Sequence, residues 1–155
     1  MKFIPAAIAK QLITDGVFEP RGAVDSTRVC FVENREVPTP SEVGPAVETV
    51  TSITLAGGSA PGMFTGHIYK PLIRIDIRES TDPDSESAID VYTDIVESLG
   101  IGDVITANGY RDIGGANIGY LEIAQEISRI DHLYPGDAFT YTFAFRCQAH
   151  RADLI

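Results

Sequence analysis

A chain of 155 residues, 44% hydrophobic and 22% charged, is long enough to bury roughly 70% of its unfolded surface as one domain, with no need for disulfides or a metal. Its 12 Lys and Arg against 22 Asp and Glu leave a formal charge of −10, which argues against a surface that wraps nucleic acid by neutralising phosphates. No apolar run reaches the ~18 residues that a membrane-spanning helix needs.

Pro5 suits the first turn of a helix, and Ile4, Ile8 and Leu12 recur at a spacing of four before Asp15-Gly16, so residues 5 to 15 are expected to be helical. The opening Met1–Ala9 stretch superficially mimics a signal peptide. Its apolar run is short and Lys10-Gln11 interrupts it, so it reads as a helix of the mature protein. After the turn Glu19-Pro20-Arg21-Gly22, a strand rich in Val and Phe is expected from Arg28 to Glu33. The connection from Asn34 to Glu48 carries Pro38, Pro40 and Pro45, three prolines that bar a central strand and favour extended backbone.

Val50 to Ala56 is β-branched and weakly alternating, a second strand. Gly57-Gly58-Ser59-Ala60-Pro61-Gly62 opens another long connection, in which Met63, Phe64, His67, Ile68 and Tyr69 place apolar and aromatic groups among glycines. Long loops in compact domains are uncommon and often functional. Pro38, Pro40, Met63, Phe64, His67, Ile68 and Tyr69 are therefore candidate interface residues, with folding back over the chain's own core as the alternative.

Leu72 to Arg78 alternates with Ile73, Ile75 and Ile77 on one face and Arg74, Asp76 and Arg78 on the other. Asp76 reads as a carboxylate compensated by its two arginine neighbours, not as a catalytic group. Asp82 and Pro83 are a good N-cap and first helical residue, Gly100 a good stop, and Ala88, Ile89, Tyr92, Ile95, Val96 and Leu99 the expected buried stripe. From Glu79 to Glu97 there are seven acidic residues and no basic one. Glu86, Asp90, Asp94 and Glu97 fall at helical spacing as one acidic stripe, which reads as a solvated face, a docking surface for a basic partner or the wall of a channel that must not bind DNA.

Beyond Gly100 the period changes to two. Val104 to Ala107 is a short strand, Asn108-Gly109 a tight turn and Gly114-Gly115 a bend. Leu121 to His132 and Phe139 to Ala149 are two strands joined by a turn at Tyr134-Pro135-Gly136-Asp137, with Phe139, Tyr141, Phe143 and Phe145 in one row as the best core candidate. The class that results is α+β, a single domain over residues 1–155 whose mixed, mostly antiparallel sheet carries two packed helices and long loops. Cys30 and Cys147 both sit in apolar strand-like runs and read as free buried thiols, a bridge being the alternative.

The residues offer little chemistry. His67, His132 and His150 are scattered, no Cys-x-x-Cys or His-x-x-x-His spacing occurs, and neither a phosphate-binding glycine loop nor a Gly-x-Ser-x-Gly elbow is present. No metal, cofactor or catalytic residue is expected.

The order of these segments resembles the tail terminator and minor capsid family of long-tailed bacteriophages. The helix with Ile8, Leu12 and Val17, a strand and long excursion, Pro71 to Arg78, the helix Ala88 to Val96 and the terminal strands closing on Phe143-Ala144-Phe145-Arg146-Cys147 carry the likeness over nearly the whole chain. The connections Asn34 to Glu48 and Gly57 to Lys70 are long for that family. The resemblance implies a mixed sheet with helices packed on it and a homo-oligomeric, hexameric ring in the virion, assembled in the host cytoplasm. Such a ring stops tube polymerisation at the head-proximal end of the tail and meets the tail tube protein on one side and the head connector or neck protein on the other. DNA would pass through it without specific binding, beside the acidic stripe or the Asp131 and Asp137 region. No enzymatic residue is implied. Connector, head-completion and tube proteins of the same particles share related folds and form the nearest alternative. A small enzyme or ligand-binding domain, with His67 and Tyr69 in a pocket under the Gly57 to Lys70 loop, is the other.

Overall fold

The computed structural model describes residues 4–20, 26–33, 37–58, 68–80, 87–102, 109–130 and 139–150. Helix α1 spans Ile4–Thr14 and buries Ile4, Ile8 and Leu12 at the expected spacing. Gly16, at a φ of 79°, turns the chain so that Val17 and Phe18 re-enter the core. Strand β1 (Arg28–Val32) follows, then a four-residue helix α2 (Pro40–Val43), β2 (Thr49–Gly58), β3 (Ile68–Tyr69) and β4 (Pro71–Glu79). Helix α3 (Ser87–Leu99), β5 (Tyr110–Ile113), β6 (Ala116–Ile130) and β7 (Thr140–His150) complete the order.

One sheet gathers the strands as β1-β2-β4-β7-β6-β5, with β3 also on β7. The pairing β1–β2 is parallel and the others are antiparallel, which makes the sheet mixed. The α+β class stands, with three helices where two were expected. The additional one, α2, starts at Pro40, and the Thr39 N–H donates to the Glu42 carboxylate at 3.3 Å. β3 and β4 hold one unbroken register along β7, from Ile68 opposite His150 to Arg78 opposite Thr140, so they act as a single strand.

Ile53, Ile73, Ile75, Ile77, Phe143, Phe145 and Cys147 lie on one sheet face and are buried with Ile8 and Leu12 of α1 and Val91 and Ile95 of α3. Of the row expected on β7, Phe143 and Phe145 are the centre of the core, Tyr141 packs half-buried against it and Phe139, half-buried, precedes the strand; Phe143 stands edge-on to Tyr92 at 4.8 Å. Both long helices cover this face. The stripe on α3 is Ala88, Val91, Ile95 and Leu99, with Tyr92 and Val96 half-buried, whereas Ile89 is 50% exposed. The helix is rolled toward Val91 because that position, and not Ile89, falls three residues after Ala88 and four before Ile95. Its first turn donates the Ala88 N–H to the buried Glu79 carboxylate at 3.3 Å. Asp82, Pro83, the expected strand Val104 to Ala107 and the turn at residues 134–137 lie outside the described residues.

Curvature comes from β6. Its register against β7 shifts at three places between Gly119 and Ser128, and each shift admits an extra β6 residue, which bends the strand. Tyr120, at a φ of 55°, occupies the first shift.

Candidate functional site

The sheet's second face begins from the alternation on β3 and β4. Residues 70, 72, 74, 76 and 78 fall on the side opposite Ile73, Ile75 and Ile77, and register adds Thr142, Ala144 and Arg146 of β7. The segment before β2 covers one end of this face, where Arg78 donates to the Val37 carbonyl at 2.7 Å and Pro40 is buried. Midway, Asp76 accepts from the Thr142 hydroxyl at 2.6 Å and from Arg74 Nε at 3.1 Å. The expected compensation of Asp76 by both arginines therefore holds for Arg74 only, since Arg78 reaches across to backbone. At the other end Lys70, Arg74 and Arg146 are exposed around half-buried Leu72.

The opposite side of the molecule is acidic. Asp90 and Glu97 are exposed on α3, while Asp94 is ion-paired with Arg28 of β1 at 2.6 Å. Of the anticipated four-residue stripe, Asp90 and Glu97 face solvent and Asp94, its side chain 43% exposed, also ties α3 to the sheet edge, while Glu86 lies outside the described residues. Next to it, Asp15, Gly16, Val17, Asp94, Glu97 and Ser98 line an open cleft of about 410 Å³. Here Asp15 accepts from the Ser98 hydroxyl at 2.6 Å and from Gln11 Nε2 at 3.0 Å; these bonds, opposed by slight desolvation and aided by the Arg111 charge, hold the Asp15 carboxyl below its usual range. A second, more apolar groove of about 300 Å³ runs between α1 and β1, lined by Ala6, Ala9, Lys10, Ile13, Thr14, Cys30 and Val32.

Of the proposed interface residues, Met63, Phe64 and His67 lie outside the described residues. Ile68 and Tyr69 are strand residues paired to His150 and Ala149, and Tyr69 packs against the core, where burial raises its hydroxyl pKa. Pro38 is half-buried and Pro40 buried, so Pro40 is a packing residue and not a free contact. The alternation of Leu72 to Arg78 already placed Arg74, Asp76 and Arg78 on one face, but no local signal links Arg28 to Asp94 or Asp76 to Thr142, each pair being 66 residues apart. Cys30 and Cys147 are free and buried, and desolvation pushes the Cys147 thiol up to about 12. Among the described residues no three His, Cys, Asp or Glu side chains come together as a metal site, and no helix is long and apolar enough to cross a membrane.

No family model and no curated protein matches the chain. Nineteen chains of solved structure do match. One of them, whose name describes no function, is similar over 94% of this chain and 92% of its own, with a TM-score of 0.53 at 15% identity. That likeness is one of fold alone.

Proposed function

We propose that this protein is a structural subunit of a long-tailed bacteriophage, forming a ring that caps the tail tube, ends its polymerisation and provides the tail side of the junction with the head. The observation that carries this reading is the whole-chain order of elements: α1, a strand and excursion, β4, α3 and a terminal hairpin, brought into one sheet whose helices leave the second face to solvent over Lys70, Arg74 and Arg146. A ring subunit needs a rigid core and solvent-facing surfaces for neighbours, and its surface need not hold a reaction centre. The outer part of the β6–β7 hairpin also fits such a subunit. Gln125, Glu126, Ser128, Arg129 and Ile130 are exposed there, and among the described residues β5 pairs only with Ala116–Gly119 of β6.

Electron microscopy of lysates from a phage or prophage carrying a deletion of this gene tests the role. Overlong tails without heads are the expected outcome, because uncapped tubes keep growing. Tails of normal length beside unattached heads would assign the protein to the connector or head-completion group, and intact particles would overturn a role in the virion.

A further inference from the structure

We propose that α3 is a detachable flap, a helix that lifts off the sheet within the native state and opens the strip between β1 and β4 to water. This conformational device is independent of the ring reading. Its basis is the set of residues that α3 covers. Arg28 of β1, Thr49 of β2 and Glu79 of β4 stand side by side in register, and the outer two both reach α3: Arg28 pairs with Asp94 at 2.6 Å, and the Glu79 carboxylate accepts from the Ala88 N–H at 3.3 Å. Thr49, between them, therefore lies beneath the helix. Two rows further along the same face, Tyr92 of α3 meets Phe143, which is in register with Ile75 and Ile53. The row in between holds Cys30, Thr51 and Ile77, so α3 touches the rows on both sides of Thr51. Thr49 and Thr51 are fully buried, and neither hydroxyl has a hydrogen-bond partner among the described residues. Under the apolar stripe of the helix, the sheet thus presents two unpartnered hydroxyls and a buried carboxylate.

A buried hydroxyl without a partner has given up its bonds to water and received none in return, which favours any state that hydrates it by about tenfold. Lifting α3 is such a state. The helix is also weak in its own right. Five of its 13 residues, Ile89, Val91, Thr93, Ile95 and Val96, are β-branched. Its last turn carries Glu97 and no basic residue, the wrong sign for the C-terminal end of a helix dipole, and Asp90, Asp94 and Glu97 repel one another at helical spacing. The ties from Asp94 to Arg28 and from Ser98 to Asp15 are partly exposed, so water replaces them at little cost. What holds α3 down is the buried stripe Ala88, Val91, Ile95 and Leu99, and the two hydroxyls beneath it offset part of that gain. Strands β4 and β7, by contrast, are central in the sheet and paired on both sides. They are the part of the fold that opens last.

Native-state hydrogen exchange of the full chain, followed amide by amide by NMR at low urea concentrations, tests the flap. The amides of Val91 to Leu99 are expected to be protected about a hundredfold less than those of β4 and β7, and their exchange is expected to depend only weakly on urea, the mark of an opening that exposes less surface than unfolding does. Thr49→Val with Thr51→Val keeps the shape of both side chains and removes the hydroxyls, and it is expected to raise the protection of α3 about tenfold or more. The protection of β4 and β7 should rise with it, because full unfolding hydrates the same hydroxyls. Exchange of α3 with the protection and urea dependence of β4 and β7 would show that the helix leaves only when the whole domain unfolds, and overturns the flap. So does a double variant in which β4 and β7 gain protection and α3 gains none, since the opening then does not uncover the strip. Neither result bears on the deletion phenotype, so the flap and the ring reading fail separately.

Discussion

At the residue scale, Gly114 is the position where the fold leaves least room. Its φ is +59° and a Cβ there would lie 1.9 Å from the Ala7 carbonyl oxygen, a backbone atom of α1 that cannot swing aside. Its N–H donates to Gln11 Oε1 at 3.0 Å, so the β5–β6 turn is pinned against the helix. Gly114→Ala is expected to cost about 2–4 kcal/mol, combining the left-handed backbone with overpacking. The control is next door. Gly115 has a φ of +88°, but a Cβ there would meet nothing within 4 Å, and Gly115→Ala should cost only about 1 kcal/mol. Urea unfolding of both variants measures the difference; equal midpoints would remove the close approach as its cause. The bend at Gly114-Gly115 was legible from composition, whereas the helix that presses on it was not.

Between elements, Asp15 joins the end of α1 to α3 through Ser98 and, through Gln11, to the Gly114 turn. Because these bonds lower its folded pKa below the unfolded value, the native state holds its proton less tightly than the unfolded chain does. The stabilisation is therefore complete above the unfolded carboxyl pKa and is lost as pH falls through the folded one. Asp15→Asn should lower the urea midpoint at neutral pH, and the two proteins should converge on acidification. The effect is expected to be small, since the carboxylate is exposed and screened. A gap between the proteins that persists at low pH would mean that charge is not its origin. Helix α1 and strands β4 and β7 were legible because each repeats a period over seven or more residues. The two-residue β3 and the four-residue α2 and β5 are too short to show one.

For the whole molecule, sheet order decides the thiol question. Cys30 on β1 and Cys147 on β7 are separated by β2 and β4, three strand spacings or ~14 Å, well beyond the ~7 Å that a disulfide can bridge. Thermal melts with and without reductant should coincide, and Cys147, held by burial to a pKa of about 12, should resist alkylation until the chain unfolds. A melting point lowered by reductant would require a disulfide between molecules.

Local periodicity was enough to determine α1, the alternation of β4, the aromatic row of β7 and the net acidity, because each depends only on residue type and spacing along the chain. Tertiary structure alone decided the parallel β1–β2 pair, the continuity of β3 with β4, the roll of α3 that turns Ile89 outward, and the partners of Arg28, Asp76 and Gly114. The physical reason is that these features arise from contacts between segments far apart in the chain, where strand pairing and packing select the register and no local spacing encodes the choice.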